Sequence, residues 1–102
     1  MTRGEVWWGE DPIAGRRPYL ILTRNEAIPV LRRVQVAPLS RTIRGAPSEL
    51  VLETDDGVPE RCAANFDDLV SMPKAMLTER ICRLGLQRLE DVCRTLRTAT
   101  GC

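Results

Sequence analysis

The sequence predicts a small, mainly β fold (α+β), in which roughly five to seven short strands form a bent antiparallel barrel beside one C-terminal amphipathic helix. The chain has 102 residues, enough for one compact core, so we expect a single domain over residues 1–102. Short β-branched, aromatic and aliphatic runs alternate with turns rich in Gly, Pro and Asp over most of the chain. Only the last stretch has helical periodicity.

The first half of the chain predicts three strands. Glu5–Trp8 and Pro18–Thr23 are rich in residues that favour strands, and both are bounded by Gly, Asp or Pro. The stretch Gly9–Gly15 between them predicts a wide hairpin loop. Val34–Leu39 predicts the third strand, which ends at Ser40 and is followed by a long basic turn.

The second half predicts shorter elements. Glu49–Glu53 alternates polar and apolar residues, as a half-buried strand does, and Asp55–Gly57 is a turn signal. A further strand is predicted at Arg61–Asn65 and one helical turn at Pro73–Leu77. Glu79–Leu84 predicts the last strand.

The C-terminal stretch Leu86–Ala99 predicts an amphipathic helix, because its apolar residues recur at intervals of three and four. The predicted buried face consists of Leu89, Val92, Cys93, Leu96 and Ala99. We expect this face to pack against one side of the barrel.

Composition excludes several classes of protein. Hydrophobic residues make up 43% of the chain and charged residues 28%, which is ordinary for a globular protein and argues against long disorder. No apolar run approaches the roughly 20 residues that a membrane span requires, and the N-terminus lacks the apolar core of a signal peptide. We therefore expect a cytoplasmic protein with no membrane partner.

The charge is unevenly distributed. The net charge is only +1, but residues 1–47 hold eight arginines against four acids. Arginine suits bidentate binding of phosphate, although a compositional bias toward arginine on a solvated surface explains the count equally well. The positive potential is therefore concentrated in the first half of the chain.

No metal or cofactor is predicted. The chain has no histidine, and its four cysteines, Cys62, Cys82, Cys93 and Cys102, form no Cys-x-x-Cys pair. The absence of histidine also removes the usual general base and the Ser-His-Asp and Cys-His arrangements. No base lies near Cys62 or Cys82 in the sequence to support a cysteine nucleophile.

The residues that remain for chemistry are arginines and hydroxyl residues at strand ends: Arg16 and Arg17 before Pro18, and Ser40, Arg41, Thr42 and Arg44 after the third strand. A guanidinium offers phosphate oxygens a planar fork of donors, and a hydroxyl donates one more hydrogen bond to developing charge. Because RNA supplies its own 2′-hydroxyl nucleophile, such a site suits an RNA phosphodiester. The alternative is that Arg17 is a surface arginine and Ser40 a turn residue.

Six motifs in register cover nearly the whole chain: Arg3–Trp8, Gly15–Leu22, Val36–Ser40, Thr42–Glu49, Ala64–Leu69 and Arg80–Leu84. Together they resemble the signatures of the MazF/PemK toxin family. The resemblance implies an SH3-like barrel, a homodimer, and a type II toxin that a MazE-like antitoxin holds in check. It also implies sequence-selective, metal-independent cleavage of single-stranded RNA, which leaves 2′,3′-cyclic phosphate and 5′-hydroxyl ends and inhibits translation and growth.

The resemblance assigns catalysis to Arg17 and Ser40. The family more often has threonine at the second position, so Ser40 keeps the hydroxyl but lacks the methyl group that restricts its rotamer. Because a guanidinium stays protonated in proteins, we expect Arg17 to stabilise charge rather than to transfer protons.

RNA-reading positions of the family lie in the first loop and in the basic turn. The predicted RNA-binding residues here are Trp8, Glu10, Asp11, Thr42, Arg44, Pro47, Asp67 and Asp68. Strand alternation directs one of Trp7 and Trp8 into the barrel, and an outward Trp8 would stack on a base. The first loop is shorter than the common family pattern, so the resemblance does not predict the cleavage sequence.

Two other functions fit a small barrel of this kind. A CcdB-like toxin binds and poisons DNA gyrase without catalysis, and it would not need Arg17 together with Ser40. A protein-binding SH3-like module would need an aromatic-lined groove, and the chain has only two Trp, one Tyr and one Phe to line it.

Overall fold

The computed structural model describes residues 1–102 and contains seven strands, one α-helix and two short 3₁₀ turns. The strands are β1 Glu5–Asp11, β2 Gly15–Ile21, β3 Arg33–Ser40, β4 Glu49–Leu52, β5 Cys62–Asn65, β6 Val70–Pro73 and β7 Leu77–Arg83. The helix is α1 Leu86–Thr100, and the turns are Thr54–Asp56 and Lys74–Met76. The strands pair antiparallel in the order β4-β5-β3-β2-β1-β7, with β6 also paired to β3. The predicted mainly β fold with a C-terminal helix is confirmed, although β4 and β7 do not pair to close the barrel.

The central strands are buried on both faces, because successive side chains of a strand point to opposite sides. On one face, Val6, Leu20 and Ala37 belong to a cluster that also contains Val92 of α1. On the other face, the second cluster consists of Tyr19, Ile21, Ile28, Val34, Val36, Met72 and Leu77. The continuous apolar runs of β2 and β3 therefore fill two small cores.

The prediction of a wide loop over Gly9–Gly15 is wrong. β1 continues to Asp11 and β2 begins at Gly15, so only residues 12–14 connect them. Gly9 fits this strand because the Tyr19 ring occupies the space that a side chain would need. The Asp11 carboxylate accepts the backbone N–H groups of the turn, which makes the short connection stable.

Strand β6 was not predicted, because its four residues include a serine and a proline and have no clear periodicity. It forms by pairing with β3, where Arg33 lies opposite Pro73 and Val36 lies opposite Val70. A strand of this length depends on its neighbour, since it can bury little surface alone.

Helix α1 packs on the first core. Val92 is fully buried, and Leu89, Leu96 and Ala99 lie against the cluster, as predicted. Cys93 differs from the prediction: it lies beside Arg3, whose Nη2 is 3.5 Å from its sulfur. The buried polar residue of this face is Thr95, whose hydroxyl donates to the backbone carbonyl four residues earlier in the helix.

All four cysteines are free thiols. Cys62 is buried in the first core, whereas Cys102 is exposed. No helix of the structure is long and apolar enough to cross a membrane.

Candidate active site

An open groove of about 710 Å³ lies where β1, β2 and β3 meet the segment that leads into β5. Its lining residues are Trp8, Arg16, Arg17, Pro18, Leu39, Ser40, Arg41, Val58, Pro59, Glu60 and Cys62. Three of the sequence-predicted site residues, Trp8, Arg17 and Ser40, are therefore in one groove. Three arginines against one carboxylate make the lining basic, which suits an anionic ligand.

The sheet register brings Arg17 and Ser40 to the same place. The last paired residues of β2 and β3 are Tyr19 and Pro38, and continuing this antiparallel register by two residues puts Arg17 opposite Ser40. Both side chains are exposed toward the groove. The two positions are 23 apart in the sequence, so only the β2–β3 pairing joins them.

Arg17 and Ser40 both keep donors for a ligand. No carboxylate lies within 4.0 Å of the Arg17 guanidinium, so its N–H groups have no acidic partner. The Ser40 hydroxyl oxygen accepts the backbone N–H of Thr42 at 3.1 Å, which orients the oxygen and leaves its own proton to donate. The pair can therefore present a planar cation and a hydroxyl donor to one phosphate group.

Arg16 is held in a different way from Arg17. Its guanidinium carbon lies 4.8 Å from the centre of the Trp8 ring, which is a cation–π contact. Its Nη2 is 3.5 Å from Glu79 of β7, and its Nη1 is 4.0 Å from Glu10 of β1. Trp7 points to the opposite face and packs against the second core. The prediction that the two tryptophans diverge is thus confirmed.

The far wall of the groove carries a second ion pair, in which Arg41 Nη1 is 3.3 Å from Glu60 Oε2. Glu60 is the one carboxylate among the lining residues. Burial, together with the nearby Cys82 thiol and acidic groups, raises the pKa of Cys62 to about 11. This thiol stays protonated near neutrality, which disfavours Cys62 as a nucleophile.

The other residues predicted to bind RNA lie around the groove rather than in its lining. Glu10 pairs with Arg16 at its edge, and Asp11 uses its carboxylate to accept the backbone N–H groups of Ile13 and Ala14 at 2.7 and 2.9 Å. These two hydrogen bonds lower the pKa of Asp11, and an ionised carboxylate holds the turn. Asp11 is thus engaged within the hairpin.

The remaining predicted positions follow β3 and β5. The backbone N–H of Thr42 donates to the Ser40 hydroxyl, and the backbone N–H of Arg44 donates to Glu49. The Arg44 side chain is exposed. Pro47 and Asp68 are also exposed. Asp67 accepts a hydrogen bond from the Ser48 hydroxyl, so the turn after β5 is tied to the turn before β4.

Sequence reasoning missed the segment Val58–Cys62, which supplies one wall of the groove. Its apolar and acidic residues carry no local signal of a phosphate site. They come to the groove because β5 pairs with β3, where Ala63 lies opposite Ser40. Arg16 and Arg41 were identified in the sequence as basic neighbours of Arg17 and Ser40. The carboxylates that pair with them could not be predicted from the sequence.

Comparison with known proteins adds the family. Residues 2–100 match the family of PemK-like, MazF-like toxins of type II toxin–antitoxin systems. The chain belongs to this toxin family. A relative, the probable endoribonuclease MazF5 of Mycobacterium tuberculosis, is 48% identical over 102 residues, which cover 99% of this chain and 94% of the relative. The resemblance inferred from the motifs is therefore confirmed.

Solved structures of MazF-like toxins have the same fold. The Mycobacterium tuberculosis toxin MazF-mt6 superposes with a TM-score of 0.87 at 25% identity, covering 95% of this chain and 96% of that one. A mycobacterial endoribonuclease in complex with its cognate antitoxin gives a TM-score of 0.89 at 23% identity, covering 99% and 95%. Membership of the MazF-like family does not favour the gyrase-binding alternative.

Proposed function

We propose that this chain is a type II toxin that acts as a sequence-selective, metal-independent endoribonuclease on single-stranded RNA. Family membership and a relative named as a probable endoribonuclease support the activity. The observation that carries the site assignment is the convergence of Arg17 and Ser40 in one basic groove, with Arg17 free of any carboxylate. The catalytic unit is the single domain 1–102.

The groove performs the reaction by positioning and by stabilising charge. The 2′-oxygen of the substrate forms a bond to phosphorus while the bond from phosphorus to the 5′-oxygen breaks. The 2′-hydroxyl loses its proton to solvent and the departing 5′-oxygen gains one, which leaves a 2′,3′-cyclic phosphate and a 5′-hydroxyl. Arg17 neutralises the extra negative charge of the five-coordinate phosphorus, and the Ser40 hydroxyl donates to a non-bridging oxygen. The Ser40 oxygen is oriented before the substrate arrives, since it accepts the Thr42 N–H.

The RNA strand lies along the groove and over the turns at its ends. Thr42, Arg44 and Pro47 contact the strand on the β3 side, and Trp8 and Glu10 contact it on the hairpin side. Asp67 and Asp68 accept hydrogen bonds from base edges. Asp11 acts by shaping the hairpin turn, because its carboxylate already accepts two backbone N–H groups.

The partners follow from the family. The chain forms a homodimer in the cytoplasm, and a MazE-like antitoxin covers the groove and suppresses cleavage. One structural neighbour is described as bound to its cognate antitoxin. The large exposed apolar side chains of Val30, Leu31 and Leu86 are candidates for surface that such partners bury.

The proposal is tested by incubating the purified chain with a long single-stranded RNA in EDTA and mapping the cut ends. Wild type is expected to cut at discrete sites and to leave 5′-hydroxyl ends. Arg17→Ala and Ser40→Ala are each expected to slow cleavage by about 10²–10³-fold, since each removes a donor to the transition state. Arg83→Ala, at an exposed position outside the groove, is the matched control and should cut normally.

Two results would contradict this assignment. If wild type leaves the RNA intact in EDTA, the metal-independent activity is absent. If Arg17→Ala and Ser40→Ala cut as fast as Arg83→Ala, the observed nuclease does not use this pair. Arg17→Lys separates charge from geometry: a bidentate role predicts a large loss of activity in the lysine variant as well.

A further inference from the structure

The groove contains two adjacent arginines in opposite electrostatic situations. Arg17 has no carboxylate partner, whereas Arg16 lies between Glu10 and Glu79 at 4.0 and 3.5 Å. Both side chains line the groove near the start of β2, although successive residues of a strand face opposite sides. The two side chains therefore have different tasks.

Nearby carboxylates compensate the charge of Arg16, and the Trp8 ring positions the plane of its guanidinium. Two carboxylates from β1 and β7 balance one guanidinium, so a phosphate gains less from Arg16 than from the unpaired Arg17. At the same time the guanidinium lies over the Trp8 ring, 4.8 Å from its centre. Only one face of a guanidinium can be covered by one ring, and the Arg16 side chain is still 46% exposed. A flat, accessible cation is thus presented to the groove.

Nucleic-acid bases stack on guanidinium planes as well as on aromatic rings. We propose that Arg16 is a positioning residue, which stacks one RNA base on its exposed face while Trp8, Glu10 and Glu79 hold its other face and edges. The inference rests on the proposed endoribonuclease function. It assigns the groove a stacking position for one nucleotide, directly beside the Arg17 and Ser40 pair that binds the scissile phosphate.

The stacking surface consists of Trp8 and Arg16 together. Arg16 covers the ring face that a base would otherwise use. The base contacts one face of the Arg16 guanidinium, and the Trp8 indole packs against the other face. Glu79 then acts on RNA binding from β7 although it does not line the groove itself.

The test uses Arg16→Lys, which keeps the positive charge but removes the planar group. Cut sites are first mapped with wild type, and an RNA oligonucleotide is then made with 2′-deoxyribose at the cleaved nucleotide and 2-aminopurine on either side of the cut. Stacking quenches 2-aminopurine fluorescence, so wild type should quench one of the two positions on binding. Arg16→Lys is expected to abolish that quenching and to raise the KM for a cleavable oligonucleotide about tenfold, with little change in kcat. Arg83→Lys, the same exchange at an exposed position of β7 outside the groove, should behave as wild type.

A double variant asks whether Trp8 and Arg16 act as one unit. If they do, Trp8→Leu combined with Arg16→Lys raises the KM no further than the more damaging single variant. If the KM increases of the two single variants multiply in the double variant, the stacked arrangement is overturned. Retained quenching and an unchanged KM in Arg16→Lys, with normal cutting by wild type, would overturn the positioning role alone. Failure of wild type to cut any RNA would instead reject the endoribonuclease function on which it rests.

Discussion

Arg88 connects the start of α1 to the sheet, and its removal should destabilise the fold more than any exposed ion pair. Its Nε donates to Asp56 Oδ1 at 3.1 Å and its Nη1 to Asp91 Oδ2 at 2.8 Å, while Nη2 donates to the backbone carbonyl of Val51 in β4. The Arg88 side chain is 27% exposed and that of Asp56 only 15%. Arg88→Ala would leave the nearly buried Asp56 carboxylate without its cation, and the Val51 carbonyl would lose the hydrogen bond from Arg88.

The expected magnitude follows from that burial. Breaking a buried charged network by removing one partner costs about 3–5 kcal/mol, because the other charge stays desolvated. Since Arg88 is partly exposed, water reaches the vacated site, and we expect about 2–3 kcal/mol for Arg88→Ala. In a chain of this size, that loss lowers the Tm by roughly 10–20 °C. Arg88→Met retains most of the apolar stem and separates packing from charge.

The assay is thermal and urea unfolding of the purified variants at neutral pH, followed by circular dichroism. Arg94→Ala is the matched control, because Arg94 pairs with the same Asp91 but has a side chain that is 68% exposed. An exposed pair of this kind contributes about 0–1 kcal/mol. The reasoning is refuted if Arg88→Ala and Arg94→Ala unfold at the same temperature, or if Arg88→Met is as stable as wild type.

Three further predictions concern the strand that leads to the groove. Gly9→Ala should destabilise the fold by about 1–3 kcal/mol in urea unfolding, because the new Cβ would lie 2.7 Å from the Tyr19 ring; Gly85→Ala, with open space around its Cβ, should change little. Burial by itself would raise the pKa of Glu5. Hydrogen bonds from an indole, a backbone N–H and a guanidinium outweigh burial, so the pKa of Glu5 lies below its ordinary value of 4.5. The stability that Glu5 contributes is therefore complete above pH 4.5 and declines as the pH falls below it, so Glu5→Gln should flatten the acid limb of a Tm-against-pH curve. Asp11→Ala should speed amide hydrogen exchange at the hairpin tip, whereas Asp11→Asn, which keeps the acceptor, should not.

The local sequence pattern was sufficient to predict elements whose own residues show a clear periodicity. The helix was predicted as Leu86–Ala99 and ends one residue later at Thr100, because a stripe of apolar residues along one face specifies both the element and its buried side. The strand Val34–Leu39 was placed to within a residue at each end for a similar reason. Family motifs then added Arg17 and Ser40, which composition alone left open between catalysis and an ordinary surface.

Local pattern failed where a partner strand makes the element. β1 extends through Gly9, Glu10 and Asp11, three residues that disfavour strands, because pairing with β2 on one side overrides their weak preference. β6 exists through its pairing with β3. Such strands cannot be predicted from their own residues, since the hydrogen bonds that stabilise them come from elsewhere in the chain.

The sequence by itself determined the fold class, the helix and the identity of the groove's basic and hydroxyl residues, because these depend on residue type and spacing. Only the tertiary structure decided which arginine is free. Residue type and charge alone do not separate Arg16 from Arg17, but the antiparallel pairing of β1 with β7 puts Glu79 beside Arg16 and leaves Arg17 without a carboxylate. Arg16 and Glu79 are far apart in the sequence but interact over a few ångströms, so the three-dimensional contacts decide which guanidinium is left without a carboxylate.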